Sequence, residues 1–82
     1  MDKRTFEHEI MKAAIFNKLG ERVDYWMGYQ RGLRRRYHGE NFGTLEEHIK
    51  WMSLSGDSDP SRAERGRGYR DGYGLNNALQ DA

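Results

Sequence analysis

Arginine is the residue type in this chain best equipped to recognise another molecule. Ten of the 14 basic residues are arginines, and eight of those ten lie in two clusters. The guanidinium group is a planar fork that makes bidentate contacts with phosphates and carboxylates and stacks on aromatic rings. We therefore predict that the clusters form a partner-binding surface. Its members are Arg31, Arg34, Arg35 and Arg36 from the first cluster, and Arg62, Arg65, Arg67 and Arg70 from the second.

The charge balance separates two kinds of partner for this surface. A surface that contacts phosphates gains affinity by releasing counterions, and its binding weakens as salt is added. The chain, however, carries 13 acidic residues and a net charge of only +1, which argues against a nonspecific nucleic-acid binder. Protein interfaces concentrate their binding energy in Arg, Tyr and Trp, so this composition favours a protein partner. The alternative is a solvated helix face whose arginines are balanced by nearby acids.

The histidines do not form a recognisable catalytic or metal-binding group. His8, His38 and His48 are too far apart to share one helix face, and the chain has no cysteine. We therefore expect no metal site and no cofactor, since neither a zinc-ligand spacing nor a phosphate-binding glycine motif is present. One catalytic alternative remains, a small ribonuclease with His38 as acid and base and with Arg35 or Arg36 holding the phosphate. The favoured expectation is a protein without catalysis.

A short phrase occurs twice, forty residues apart. It reads GYQRGL at 28–33 and GYRDGY at 68–73. Small residues spaced by four allow two helices to cross closely, so we predict that the two phrases are halves of one packing joint. The alternative is an exposed tyrosine platform that stacks on single-stranded nucleic acid. The predicted structural residues are Gly28, Tyr29, Gly32, Gly68, Tyr69 and Gly72, together with Trp26 and Trp51 as buried aromatic residues.

The pattern of apolar residues and helix signals predicts an all-α fold, a small bundle of about four short helices. We expect helices over 5–19, 21–38, 44–54 and 60–73. Apolar residues three and four apart mark the buried stripes. These stripes are Phe6, Ile10, Ala13 and Ala14 in the first helix, widened by Met11, Ile15 and Leu19, and Leu45, Ile49 and Met52 in the third.

Individual residues mark where these helices begin and end. Thr5 is the expected N-cap of the first helix, and Gly20 is its stop. Thr44 and Glu47 have the spacing of a capping box at the third helix. Pro60 suits the first position of the fourth helix.

Length and composition predict one small domain of marginal stability. The chain has 82 residues, of which 35% are hydrophobic and 33% charged, so its core must be thin. We expect a single helical domain over 1–75 and a fraying tail over 76–82. The charged N-terminal sequence and the absence of a long apolar run predict no signal peptide and no membrane span, hence a cytoplasmic protein. A thin core is also compatible with a homodimer.

The repeated phrase resembles a motif of ribosome modulation factors, short two-helix bacterial proteins. The stretch YWMGYQRGL at 25–33 resembles the Gly-Tyr-x-x-Gly phrase of their first helix. The stretch RGRGYRDGY at 65–73 resembles their second helix, with Tyr69 where that family prefers Trp. The resemblance implies binding to RNA or the ribosome. The chain departs from the family in its additional helix at 44–54 and its near-neutral charge, so this function is kept as the alternative.

The leading hypothesis comes from the type of protein rather than from a motif. A short chain with dense mixed charge and no recognisable active site is similar in type to small inhibitors encoded by phages and mobile elements, such as anti-CRISPR proteins. Such proteins act by steric occupation of a surface on a host complex. The expected partner is therefore a protein complex that processes nucleic acid, such as a CRISPR effector, contacted through protein–protein interactions.

Overall fold

A computed structural model shows an all-α fold, which confirms the predicted fold class. The structure describes the backbone of residues 1–81 and the side chains of residues 1–74. Besides four α-helices, single 3-10 turns occur at Gly39–Asn41 and Leu54–Gly56, and no strand occurs within this part of the chain. The predicted tail over 76–82 lies outside the residues whose side chains are described. The helices are α1 (Lys3–Leu19), α2 (Val23–His38), α3 (Leu45–Ser53) and α4 (Pro60–Asp81).

The helix ends follow most of the sequence signals. Gly20 ends α1 in the left-handed conformation, with φ of +78°, where glycine is favoured because it has no Cβ. The capping box is confirmed, since the Glu47 N–H donates to Thr44 Oγ1 at 3.1 Å. The expected N-cap of α1 is wrong. Asp2 caps this helix by accepting from the Thr5 N–H at 2.8 Å, so that Thr5 lies inside the first turn.

The helices form two antiparallel hairpins, in each of which a first helix packs on the following one. In the α1–α2 hairpin, the rings of Phe6 and Tyr37 stack at 4.3 Å and those of Phe16 and Trp26 at 4.8 Å. In the α3–α4 hairpin, the ring of Trp51 lies 5.3 Å from that of Tyr69. Aromatic rings therefore provide much of the packing within each hairpin.

The two hairpins join where α2 crosses α4, and the repeated phrase lies at this crossing. A Cβ atom placed on Gly28 would lie only 2.0 Å from the backbone oxygen of Arg65. A Cβ atom placed on Gly68 would lie 1.9 Å from the backbone oxygen of Tyr25. No real Cβ atom tolerates such distances, so the two backbones touch only because both positions are glycine.

The second glycine of each phrase repeats the same contact one turn later. A Cβ atom on Gly32 would lie 2.2 Å from the Tyr69 oxygen, and one on Gly72 would lie 2.2 Å from the Tyr29 oxygen. Each glycine contact on α2 therefore has an equivalent contact on α4. The residue numbers of the contacting positions increase together along both helices, so the two helices run in the same direction. Their Cα–H groups point at carbonyl oxygens, an arrangement that contributes weak hydrogen bonds at close helix crossings. These contacts offset the low helix propensity of four interior glycines.

The buried core is small and leaves several predicted core residues at the surface. Its buried apolar side chains are Ala13, Tyr29, Leu33, Ala63 and Tyr69. Trp26 and Trp51 were predicted to be buried and are only partly so. The predicted widening of the α1 stripe is wrong, because Met11, Ile15 and Leu19 are exposed. Leu45 and Ile49 of the α3 stripe are exposed as well. The physical reason is that α1 and α3 each pack against a neighbour along one side only.

The crossing predicts an unusual response to glycine substitution. Replacing an interior helix glycine by alanine normally stabilises a helix by about 1 kcal/mol. At Gly32 we expect the opposite, a loss of about 1–3 kcal/mol in the free energy of unfolding, because the new methyl group forces two backbones apart. Gly74→Ala is the matched control, since a Cβ at Gly74 meets no atom within 4 Å. Urea denaturation measures both, and equal effects of Gly32→Ala and Gly74→Ala would contradict the close crossing.

Candidate functional site

The predicted arginine surface is divided between different parts of the molecule. Arg31 and Arg65 both lie near α3, Arg31 over the ring of Trp51 at 4.8 Å and Arg65 in a cleft that Trp51 also lines. Arg67 and Arg70 instead border a separate shallow depression together with Ser55 and Asp71. Arg31 and Arg65 therefore lie around Trp51, whereas Arg67 and Arg70 border a different depression.

Most of these arginines already have partners within the chain. Arg65 Nε donates to Asp24 Oδ1 at 2.9 Å across the α2–α4 crossing. Arg67 and Arg22 both bind the carboxylate of Glu64. Looser ion pairs join Arg31 to Glu47 at 3.5 Å and Arg62 to Asp59 at 3.9 Å.

The Arg36 guanidinium lies 5.8 Å from the ring of Tyr73, and Arg70 Nη1 donates to Ser55 Oγ at 3.3 Å. Arg34 is partly buried and makes no ion pair with residues 1–74.

Arg35 has a structural position, although the sequence placed it in the partner-binding surface. Its side chain is only 8% exposed. Its Nη1 atom donates to the carbonyl oxygens of Gly39 and Gly43, and thereby ties the chain that follows α2 back onto that helix. The same contacts engage Arg35 within the chain, so the ribonuclease alternative is left with Arg36 as its phosphate-binding residue. No sequence signal distinguished Arg35 from its neighbours.

Arg35→Leu is expected to lower the free energy of unfolding by about 1–3 kcal/mol, because the two carbonyl groups lose a charged donor. Arg34→Leu, one residue away in the same helix, is the control and should change stability by no more than about 0.5 kcal/mol. Thermal and urea denaturation of both variants measure the difference. A similar loss in the two variants would show that Arg35 has no special structural role.

The tyrosines of the repeated phrase are packed inside the molecule. Tyr29 is 6% exposed and Tyr69 is 2% exposed, so they cannot form the exposed stacking platform considered as an alternative. Burial raises the pKa of Tyr29 to about 12, with Glu9 and Asp71 contributing in the same direction. Burial also raises the pKa of Tyr69. Both side chains are therefore neutral packing residues at ordinary pH.

A hydrogen bond between α3 and α4 joins His48 to Tyr69. The Nδ1 atom of His48 lies 2.8 Å from the Tyr69 hydroxyl, which donates to this nitrogen in the neutral tautomer that carries its proton on Nε2. Burial lowers the pKa of His48, and the positive charge of Arg35 acts in the same direction. The neutral imidazole is therefore the form that the folded chain favours.

The lowered pKa of His48 predicts a stability that depends on pH. The unfolded chain binds a proton at His48 more readily than the folded chain does, so protonation favours unfolding. We expect the free energy of unfolding to decrease as the pH falls below about 6.5, and to decrease less in His48→Gln. The exposed His38 provides the control variant His38→Gln. Urea denaturation between pH 8 and pH 5 tests this, and an identical pH dependence in wild type and His48→Gln would contradict it.

Sequence reasoning missed a set of exposed large apolar side chains on the α1–α2 hairpin, here together called the hairpin face. A usable signal was present, because Met11, Ile15 and Leu19 lie on the opposite side of the helical wheel from Phe6 and Ile10. An amphipathic helix with two apolar sides can bury only one of them in a single hairpin. The hairpin face comprises Met11, Ile15, Phe16 and Leu19 of α1 and Val23 and Met27 of α2.

Among the described residues, no set of three His, Asp or Glu side chains is placed to hold a metal ion. Nor does any helix in that part of the chain combine the length and apolar character needed to cross a membrane. The geometry described above therefore offers surfaces and one cleft as candidates.

Comparisons with known proteins do not define a class for the chain. Comparison with protein-family models gives no match, and neither the curated proteins nor the solved structures give one. The choice among candidate functions therefore depends on the geometry of the hairpin face and of the arginines.

Proposed function

We propose that this chain is a non-enzymatic binding protein that contacts another protein through the hairpin face. The observation that carries the proposal is the exposure of six large apolar side chains on one helical hairpin, each 40–65% exposed. Soluble proteins seldom expose apolar residues in such a group without using them for an interaction. Among residues 1–74, only five apolar side chains are buried, which makes the exposure of these six more significant.

The composition of the hairpin face suits a protein partner. Met11 and Met27 have flexible, polarisable side chains that adapt to an irregular surface. The ring of Phe16 is stacked on Trp26 at 4.8 Å and is thereby held in place while part of it stays exposed. A fixed aromatic ring among adaptable side chains is the arrangement expected at the energetic centre of an interface.

The narrower form of the proposal concerns the kind of partner. A small inhibitor of the phage or mobile-element type, as with anti-CRISPR proteins, would use the hairpin face to cover a surface of a host complex that processes nucleic acid. Support comes from the small size of the chain and from its internally paired arginines. Arg22 and Arg67 share the carboxylate of Glu64, so the charges of these two guanidinium groups are balanced within the chain. Steric contact, rather than charge attraction, is then the basis of inhibition.

RNA or ribosome binding is the second candidate, and one observation favours it. Arg34 is partly exposed, and neither an ion pair nor a hydrogen bond joins it to another side chain among residues 1–74. A phosphate is the natural partner for such a guanidinium. This candidate predicts strong salt dependence, whereas binding through the hairpin face should depend weakly on salt.

The experiment is affinity purification of a tagged chain from bacterial lysate, with and without RNase, followed by quantitative mass spectrometry. Wild type is compared with Ile15→Ser and Leu19→Ser in the hairpin face. Ile49→Ser on α3 is the matched control, because Ile49 is 56% exposed and lies outside the hairpin face. We expect specific protein partners to fall about tenfold, equivalent to about 1.4 kcal/mol, with the hairpin variants only.

Two outcomes would contradict the proposal. One is recovery of the same proteins with all variants. The other is recovery of RNA or ribosomes that is lost after RNase treatment or with Arg34→Glu, which would favour the second candidate. Sedimentation of the purified chain adds a third measurement. A homodimer dissociated by Ile15→Ser would show that the hairpin face binds a second copy of the chain rather than another protein.

A further inference from the structure

A cleft between α3 and the first turns of α4 has a composition that the hairpin face does not share. Its volume is about 320 Å³, which is at the lower end of the range for small-molecule sites. Three of its side chains are cationic, one is an indole, one is aliphatic and one is acidic. The cleft is lined by Lys50, Trp51, Leu54, Asp57, Arg62 and Arg65.

We infer that this cleft binds a nucleotide unit, a purine or pyrimidine base carrying a phosphate. A base can stack on an arginine guanidinium and pack against the exposed part of the Trp51 indole, whose ring also contacts Arg31 at 4.8 Å and Tyr69 at 5.3 Å. The phosphate is the group that ammonium and guanidinium ions recognise. A cleft that presents both kinds of group matches a ligand that has both parts.

Arg65 is held in a position suited to receive the phosphate. Its Nε atom donates to Asp24 at 2.9 Å, which fixes the plane of the guanidinium. Its two terminal nitrogens make no hydrogen bond with the described residues, so they are free to form a bidentate contact. A fixed guanidinium loses less conformational freedom on binding than a mobile one.

Lys50 and Arg62 supply the remaining positive charge at the rim. Lys50 makes no ion pair with residues 1–74. Arg62 has only the loose pair with Asp59 at 3.9 Å, and its side chain is 63% exposed. Both can turn toward an anion without breaking a close hydrogen bond within the protein.

Asp57 distinguishes a nucleotide from a simple polyanion. Its Oδ1 atom accepts from the Asp59 N–H at 2.8 Å, which holds the carboxylate in the turn before α4. A carboxylate repels inorganic phosphate but accepts hydrogen bonds from a ribose hydroxyl or a base amino group. The single acid among the lining residues therefore favours a ligand that carries donors as well as a phosphate.

The test uses the full chain with Trp26→Phe, so that Trp51 is the only fluorescent indole. AMP, adenosine and inorganic phosphate are titrated separately, and backbone chemical shifts are followed by NMR. We expect AMP to quench Trp51 and to shift the signals of the cleft residues, with affinity at least about tenfold above that of adenosine or phosphate alone. Adenosine or phosphate binding as tightly as AMP would overturn the two-part recognition.

Two exposed residues provide the variants. Lys50→Glu combined with Arg62→Glu should weaken AMP binding at least about tenfold, because the rim becomes anionic. Arg70→Glu changes the charge of the same helix outside the cleft and should leave binding within about twofold of wild type. Equal losses in Arg70→Glu and in the variant that combines Lys50→Glu with Arg62→Glu would overturn the assignment, since they would indicate general charge attraction. Circular dichroism confirms that each variant is folded.

A final measurement distinguishes a free nucleotide from a nucleotide within an RNA strand. An eight-residue single-stranded oligoribonucleotide is compared with AMP on the same protein. Tighter binding of the oligonucleotide that is still lost in Lys50→Glu with Arg62→Glu identifies a strand as the ligand, whereas equal binding identifies a free nucleotide. Absence of any shift at the cleft residues with either probe would overturn the inference. The hairpin face contains none of the residues involved, so its function is tested independently.

Discussion

The contact of backbone on backbone at the α2–α4 crossing is the constraint on which the rest of the molecule depends. Four glycines bring two parallel helices so close that carbonyl oxygens occupy the space of the missing side chains. The approach provides many dispersion contacts per residue, which a chain with few large apolar residues needs. It also fixes the axial position of α4 on α2, because each glycine meets one particular carbonyl group. The ion pair between Asp24 and Arg65 depends on that position.

The equivalence of the glycine contacts on α2 and α4 explains how the two hairpins share one core. Tyr29 and Tyr69 follow the first glycine of their phrases and project to different neighbours. Tyr29 packs with Trp26 at 5.1 Å and belongs to the cluster with Ala13 of α1. Tyr69 packs instead against Trp51 and His48 of α3. Each outer helix therefore covers one tyrosine and leaves its own far side in solvent, which is why α1 can fold and still present the hairpin face.

The sequence predicted the fold class and the crossing because both depend on local spacing. Glycines four apart, repeated at 28–32 and 68–72, have few roles in a helix other than close approach. The buried side of α1 was predicted less well. Hydrophobic periodicity shows which sides of a helix are apolar, but it does not show which apolar side packs against α2. Met11 and Ile15 satisfied the same pattern as Phe6 and Ile10. The role of Arg35 depends on carbonyl groups that the chain brings back after α2 ends, and no spacing in the sequence reports that return.

The two candidate surfaces lie on different hairpins and differ in chemical character. The α1–α2 hairpin carries six of the exposed large apolar residues, whereas α3 and the first turns of α4 hold the cationic cleft. Trp51 is placed beside this cleft because Tyr69, anchored at the crossing, supports its ring at 5.3 Å. A change at the joint would therefore disturb the cleft through Tyr69 and the hairpin face through Tyr29. Surface substitutions such as Ile15→Ser and Arg62→Glu act on one region each, so the two proposed interactions are separable even though one crossing positions both.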